Sequence, residues 1–508
     1  MKYLPTGLQM QAIDSYNIND LGITSAALME RAAFGVQKAA VSMTEPGDRV
    51  LFICGPGNNG ADGIAAARML LRAGRSPVIL HTQDLSKESP EHRAQRQTAE
   101  LLGIPSYRLD EAGVCPDLGG YALIVDAIFG VGLKRDIKGP AADLIERVNS
   151  SGVRVLAVDV PSGVSSADGQ ILGCAVRADA TVTFGYAKLG MAMYPGKEYC
   201  GRIVIEDIGF FMPEGIENEL AAALEKEDID RLLPARDPGG NKGTFGKVLV
   251  AAGSPGMCGA AYFCALAAYR MGAGLVRVLT AKENVPVIQT LLPEAIVTAV
   301  TGNVPQQGQV RDCLEWADVL ALGPGIGTGE YGRALCGLML TERKIPAVID
   351  ADALNIISEN DELFDLLDES AIVTPHIGEM SRLVNIPPAR LKQDPVGYAK
   401  GFCGAYGAVC VLKDARTVTA SSERVYINLS GNDGMATGGS GDALSGILAA
   451  LLACRLPAYK AAPLGVYIHG LAGDAAKEKK GQRSVLASDI IDGITCVLKD
   501  SHTTGEQL

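Results

Sequence analysis

Gly434-Met435-Ala436-Thr437-Gly438-Gly439-Ser440-Gly441-Asp442-Ala443-Leu444-Ser445-Gly446-Ile447 is the stretch on which the reading of this chain turns. It reads as a glycine-rich loop running into a helix: Ala443, Leu444, Ile447, Leu448, Leu451 and Leu452 recur at helical spacing and give one apolar face. The glycines leave backbone N–H groups uncovered where the helix dipole is positive. That is an anion site, and phosphate is its usual occupant. Asp442 falls in the first turn. A carboxylate beside a phosphate can take a proton from a hydroxyl attacking phosphorus. The plainer reading is that Ser440 and Asp442 cap the helix and the glycines only turn the chain.

Working outward, the second half repeats one rhythm, an apolar strand that ends in a polar, Gly-rich turn. Strands are expected at 246–253, 276–279, 318–322, 347–350, 372–374 and 408–413, with a small-residue helix over 259–271. The turns that follow are Gly323–Gly327, Ala351–Asn355, Pro375–Glu379 and Asp414–Thr417. They share one edge of the sheet with the quoted stretch.

The first half has the same grammar. Residues 8–44 read as helical, with Leu28, Met29, Ala32, Ala33 and Val36 forming a stripe that suits core packing. Strands follow at 49–54, 78–80, 123–126, 153–159, 181–184 and 202–206, and a helix begins near Ile64. This predicts a mostly parallel sheet with helices on both faces and ligands at the carboxyl ends of its strands. The loops there, Gly55–Gly63, Ile128–Lys138, Asp159–Val164 and Phe184–Lys188, bring Asn58, Asn59, Asp62, Asp126, Asp159 and Ser162 to one edge. Hard oxygen donors without His or Cys suit an alkali or alkaline-earth cation. Gly130-Val131-Gly132-Leu133-Lys134-Arg135 adds two cations on a flexible loop, which suits a diphosphate. Singly, each Asn or Asp reads as a turn residue. Four such loops on one edge read as a site.

Composition bounds the answer. The chain has 508 residues, 47% hydrophobic and 20% charged, which suits a globular protein of several domains. A net charge of -12 argues against non-specific nucleic-acid binding. Twelve cysteines without a CxxC pair, many in apolar runs, read as reduced core thiols and not as a zinc framework. No signal peptide and no membrane-length apolar run is visible, so a soluble, cytoplasmic protein is expected. Residues 211–228 are rich in Pro, Gly and Glu. They divide the chain into expected domains at 1–213 and 225–503. Apolar strips such as Leu28 to Val36 leave room for self-association, and a homo-oligomer is expected.

Residues 8–210 resemble the NAD(P)H-hydrate epimerases (the YjeF N-terminal domain), above all in Asn58-Asn59-Gly60-Ala61-Asp62-Gly63. Ala61 stands where that family has Gly, and a positive φ there would strain Ala by about 1 kcal/mol or more. Residues 228–503 resemble the ribokinase-like superfamily and, within it, the ADP-dependent NAD(P)H-hydrate dehydratases. The Gly-Ser-Gly-Asp core is shared across the superfamily. The narrower match is its combination with Asp350-Ala351-Asp352-Ala353-Leu354, Thr374-Pro375-His376-Ile377-Gly378-Glu379 and His469-Gly470-Leu471-Ala472-Gly473-Asp474. Met257-Cys258 replaces that family's Tyr-Thr, and Asp414 stands where Gly is common.

The resemblance implies an N-terminal Rossmann-like, doubly wound sheet and a C-terminal ribokinase-like α/β sandwich. It also implies the site residues. Asn58, Asn59, Gly60, Ala61, Asp62, Gly130, Val131, Gly132, Leu133, Lys134, Arg135, Asp136 and Asp159 would hold the hydrated nucleotide in the first domain. Asn59, Asp126 and Ser162 would hold K⁺. In the second domain Ala260, Gly325, His376 and Asp442 would meet the hydrated nucleotide. Lys413, Asp414, Ala415, Arg416, Thr417 and Gly441 would meet ADP or ATP, with Mg²⁺ on the donor phosphates. The implied activity is repair of hydrated NADH and NADPH by epimerisation and ADP-dependent dehydration, with Asp159 and Asp442 as the acid/base residues. His469 reads as packing or a helix hydrogen bond. The rival readings are a small-metabolite kinase of ribokinase-like fold with an N-terminal regulatory domain, and an N-terminal half that only binds.

Overall fold

The computed structural model describes residues 1–82, 85–109, 117–300 and 304–500. Residues 501–503 of the expected second domain therefore lie outside the described chain. Two compact units are present, Tyr3–Ala221 and Ala222–Leu508, the second also including Met1–Lys2.

The chain opens with a short strand, β1 (Lys2–Leu4). The first unit is built on β2 (Arg49–Cys54), β3 (Ser76–His81), β4 (Ser106–Arg108), β5 (Leu123–Ala127), β6 (Val155–Val158), β7 (Ala180–Phe184) and β8 (Arg202–Glu206). Their order is β4-β3-β2-β5-β6-β7-β8, and every neighbouring pair is parallel. A parallel sheet is covered on both faces, which is why Val50 to Cys54 form an unbroken buried run. On one face Phe52, Val125 and Leu156 pack against Leu28, Ala32 and Val36 and against Ile64 and Ala65. On the other, Ile53, Ile124 and Ala157 pack against Leu144, Ile145 and Val148 of the helix Pro140–Ser150. The strand order reverses between β2 and β5, so the loops after them diverge and open a crevice.

Two expectations are corrected here. The helix after β2 runs Asn58–Arg72 and starts six residues earlier than the apolar pattern suggested. Asn58 to Gly63 are therefore its first turns and not a loop. Ala61 donates to the Gly57 carbonyl (3.1 Å) and is absent from the residues with positive φ, so it carries no strain of that kind. The real constraint falls on Gly60, where a Cβ would stand 1.9 Å from the Gly55 carbonyl oxygen. The second correction concerns Leu28 to Val36. Its Leu28, Met29, Ala32, Ala33 and Val36 are buried in their own unit, and Phe34 is the large apolar side chain left exposed between them.

The second unit carries β9 (Ala221–Ala223), β10 (Lys247–Ala251), β11 (Leu275–Ala281), β12 (Ile296–Val300), β13 (Val319–Leu322), β14 (Ala347–Ile349), β15 (Ala371–Val373), β16 (Val409–Leu412), β17 (Val418–Ala420) and β18 (Val425–Ile427). Within this unit the sheet order is β9-β18-β17-β16-β15-β14-β13-β10-β11-β12. Pairing is parallel from β12 through β16 and antiparallel for β16–β17 and β17–β18. The quoted stretch supplies the helix Ser440–Ala453. It is buried from Ala443 to Ala453 without a polar face, because the sheet lies on one side and further helices on the others. Its Ala443, Ile447 and Leu451 share one core with Val248, Val319 and Val348 of the strands and Ala261 and Cys264 of the helix Cys258–Arg270. The one-sided apolar stripe read from the sequence is therefore too narrow: the helix is a central element. No helix among the described residues is long and apolar enough to cross a membrane.

Candidate active sites

In the first unit a cavity of about 660 Å³ opens at the carboxyl edge of the sheet. Asn58, Asn59, Asp62, Gly130, Val131, Gly132, Leu133, Lys134, Arg135 and Asp159 all line it. Gly60 and Ala61 do not: they are buried in the helix start behind the lining. Asp136 is exposed and also outside it.

Asp159 follows β6 directly and holds φ at +67°, a conformation rare for a residue with a side chain. Its carboxylate receives the ammonium of Lys188, which is fully buried. The same ammonium donates to Thr183 Oγ1 (2.7 Å) and to the Phe184 carbonyl (3.2 Å). Two more carboxyls face the same cavity. Loss of water pushes Asp62 well above the usual carboxylate range, and the charges of Asp159 and Asp14 add to it. Burial also raises Asp14, with Asp159 adding.

Behind the cavity, Asp126 at the end of β5 accepts from Ser162 Oγ (2.6 Å), Ser162 N (2.8 Å) and Ile128 N (3.3 Å). Burial pushes its carboxyl up to about 6, against the pull of those hydrogen bonds. Ser162 Oγ also accepts from Phe129 N (2.9 Å). Asn59 packs against Gly130, the residue after Phe129, and keeps a buried amide nitrogen without a partner.

In the second unit the site forms where β14, β15 and β16 end and the helix Ser440–Ala453 begins. Gly439 is the N-cap, at φ +91°, and no side chain caps the helix. A Cβ at Gly439 would stand 2.7 Å from the Phe263 ring, so the residue is glycine on two counts. Ser440 N bonds the Thr437 carbonyl, and the N–H groups of Gly441 and Asp442 lie in the first turn, whose donors have no intrahelical partner. The plainer reading of Ser440 and Asp442 as caps does not hold.

Asp442 is pushed up to about 6 by burial and by the nearby charge of Asp350, with Lys413 pulling the other way. Lys413 donates to Asp350 Oδ1 (2.8 Å), and Ser445 Oγ donates to Asp350 Oδ2 (2.7 Å). Gly441 lies over this pair: its missing Cβ would be 3.5 Å from Lys413 Nζ.

The remaining expected residues fall around this centre. Gly325, at φ +62°, sits against Ala260, whose Cβ would be 3.0 Å from a side chain there. His376 bridges to Lys413 through the backbone and caps the helix Ile377–Val384. Its Nδ1 accepts from Gly378 N (2.9 Å) and Glu379 N (3.2 Å), leaving Nε2 3.2 Å from Glu379 Oε1. Lys413 to Thr417 form the turn between β16 and β17, with Asp414 and Ala415 exposed. Met257 is the exposed N-cap of the helix that Cys258 begins. His469 brings Nε2 to 3.4 Å from Ser440 Oγ, so it touches the start of the central helix.

Four residues of these centres were not assigned to a site from the sequence. Lys188 left a signal, a lysine heading the apolar Leu189-Gly190-Met191-Ala192 right after a strand-end loop. Asp350 stood in the quoted Asp350-Ala351-Asp352 turn. Asp14 and Ser445 sit on helices amid ordinary helical residues and left none.

These two sites on two α/β sheets define a two-domain enzyme, Rossmann-like in its first unit and ribokinase-like in its second. Residues 248–496 match the family described as NAD(P)H-hydrate dehydratase, and residues 25–190 match the YjeF-related protein N-terminus. The chain is 36% identical to the bifunctional NAD(P)H-hydrate repair enzyme of Thermofilum pendens, over 96% of this chain and 93% of the relative. It is 34% identical to that of Escherichia coli, over 95% of this chain and 91% of the relative. Among solved structures, a ribokinase-like superfamily protein from Enterococcus faecalis is 28% identical with a TM-score of 0.51, covering 57% of this chain and 98% of that one. The chain belongs to the family of bifunctional NAD(P)H-hydrate repair enzymes.

Proposed function

We propose that the chain repairs hydrated NADH and NADPH in two steps. The first unit interconverts the R and S forms of the hydrate. The second dehydrates the S form at the expense of ADP, releasing AMP and phosphate. The observation that carries this reading is the uncapped helix start at Gly439–Asp442, with a carboxyl of pKa about 6 in its first turn beside the Lys413–Asp350 pair. That combination suits a hydroxyl that must be deprotonated as it takes up phosphate.

The hydrate carries a hydroxyl on C6, next to the ring nitrogen. Hydroxide leaves poorly and phosphate leaves well. Asp442 takes the hydroxyl proton as its oxygen attacks the donor phosphorus. The first-turn N–H groups of Gly441 and Asp442, with Lys413, draw off the charge that develops on the transferred group. The nitrogen lone pair then expels phosphate, and loss of a proton from C5 restores the dihydronicotinamide. Ala260, Gly325 and His376 hold the hydrate, and Lys413 to Thr417 hold the nucleotide. Mg²⁺ on the donor phosphates neutralises charge when bound. ATP is an alternative donor.

In the first unit, departure of the C6 hydroxyl and its return on the opposite face invert the centre, with Asp159 as acid/base. Lys134 and Arg135, two cations of the cavity lining, suit the diphosphate. Asn59, Asp126 and Ser162 suit K⁺. Asp126 carries a buried carboxyl whose partners named above are neutral donors, and the Asn59 amide has a buried polar end without a partner. K⁺ would there neutralise Asp126 and fix the loop from Phe129 to Arg135. The protein works in the cytoplasm, in keeping with the free thiols of its described cysteines.

The test is an absorbance assay on hydrated NADH with ADP, with ATP and without nucleotide. Recovery of dihydronicotinamide absorbance with free phosphate is expected. A stable phosphorylated product would make the second unit a kinase. Epimer interconversion that ignores added K⁺ would remove the cation from the first.

A further inference from the structure

The cavity of the first unit holds more acid than one acid/base residue needs. Asp14, Asp62 and Asp159 all line it, and a single lysine from the interior, Lys188, reaches them. Lys188 is committed: its ammonium lies on Asp159, Thr183 Oγ1 and the Phe184 carbonyl, with no exposed surface. Asp159 is also fixed by its backbone, held at φ +67° with its N–H on the Val182 carbonyl (2.7 Å). One carboxylate is thus ion-paired and immobilised, while Asp62 faces the same space from the first turns of the helix Asn58–Arg72 and feels that lysine only through its charge. Inverting a carbon by loss and return of a hydroxyl requires a proton donor for the leaving oxygen and an acceptor for the arriving water. Two carboxyls in unlike surroundings meet that need.

We propose that Asp62 and Asp159 form the acid–base pair of the epimerisation, and that Lys188 is the positioning residue that holds Asp159. This deepens the assignment of epimerisation to the first unit and rests on it. In one direction the Asp62 carboxyl gives its proton to the C6 hydroxyl. The C6–O bond breaks, its electron pair leaves as water, and the ring-nitrogen lone pair makes the C6=N bond. Water then adds to the opposite face. The new C6–O bond forms, the C6=N pair returns to nitrogen, and Asp159 takes the proton from the added water. The site ends with Asp62 ionised and Asp159 protonated, which is the starting state for the reverse direction. Proton exchange with solvent resets it. Burial, with the charges of Asp159 and Asp14, favours the protonated form of Asp62. The other charged groups facing it are Lys188 and, across the cavity, Lys134 and Arg135.

The experiment uses the full chain and hydrated NADH, separating the two epimers with time, in ordinary and ¹⁸O-labelled water. Wild type should take ¹⁸O into C6 as it epimerises, with a rate that falls at high pH as Asp62 loses its proton. Asp62→Asn should lower kcat about a hundredfold or more with little change in KM. Asp14→Asn, which removes one of the charges that raise Asp62, should move the high-pH limb to lower pH without abolishing turnover. Lys188→Met should lower kcat and move the pH profile, and Lys188→Arg should restore part of both. Inversion without ¹⁸O uptake overturns the pair. So does an Asp62→Asn enzyme at the wild-type rate, or an Asp14→Asn enzyme that alone loses the activity. The ¹⁸O and pH measurements need no variant, so misfolding cannot shield the proposal. If wild type does not interconvert the epimers at all, the assignment of epimerisation fails instead.

Discussion

Each unit sets one lysine against one aspartate just beyond a parallel strand, and the two pairs work in opposite ways. In the first unit Lys188 lies on Asp159, the residue assigned to the chemistry. In the second Lys413 lies on Asp350, and Ser445 takes the other oxygen. Asp442, the residue assigned to the chemistry there, has no share in that bond. It feels Asp350 as a like charge, and together with burial this lifts its carboxyl to about 6. The cation fixes the reacting group in one site and is withheld from it in the other. A base that must act near neutrality gains from the second arrangement, because a carboxyl lifted to about 6 titrates close to the working pH.

The largest test of this contrast is Asp442→Asn. Dehydration should fall by about 10²–10⁴-fold, the range for loss of a general base, while ADP affinity measured by calorimetry changes little. If Asp350→Asn abolishes turnover and Asp442→Asn does not, the two aspartates have exchanged roles and the contrast collapses.

The pH dependence sharpens the same point. Asp442 acts ionised, so the dehydration rate should rise with pH through a midpoint of about 6 and then level off. Asp350→Asn removes the like charge, which lowers the Asp442 pKa and moves the midpoint to lower pH. Lys413→Met removes the opposing cation and moves it up. A shift of one unit either way changes the rate on the acid limb by about tenfold. For stability the sign runs the other way. A carboxyl raised in the folded state favours folding at low pH, and this group's contribution is lost as pH rises from about 4 through about 6. A rate profile with no limb near 6 would show that Asp442 is not the titrating base.

Glycine separates the two sites as well. At Gly439 the need is conformational, φ +91° at a helix N-cap, with the Phe263 ring behind it. Gly439→Ala should cost about 2–3 kcal/mol, read as a lowered thermal midpoint.

Much of both folds was legible because the strands of a parallel sheet are continuous apolar runs closed by polar turns. That pattern placed β2, β5, β6 and β13 to β16 and brought the right turns to one edge. It could not place the start of the helix at Asn58. A helix start made of Asn, Gly and Asp carries no apolar period, so only its later turns were read. The antiparallel β17 and β18 are three residues each and too short to show an alternation. In the sites, the motif residues were legible one by one, but their pairings were not. Nothing in the spacing of Asp350 and Lys413, or of Asp159 and Lys188, says which carboxylate a lysine will reach.

Ala61 gives the smallest and cleanest test of the difference. If its position needed a left-handed backbone, as the family's glycine suggests, Ala61→Gly would relieve strain and raise stability. The structure puts Ala61 inside a helix, fully buried, with its N–H on the Gly57 carbonyl. There a glycine adds freedom to the unfolded chain and removes a packed methyl, so Ala61→Gly should lower stability by about 1–2 kcal/mol. Denaturant unfolding followed by a probe in the first unit would resolve it. A stabilised variant would mean that Asn58 to Gly63 turn as a loop. The expected loss would instead fix the contrast: in the first site glycine is demanded by close packing at Gly60, and in the second by backbone conformation at Gly439.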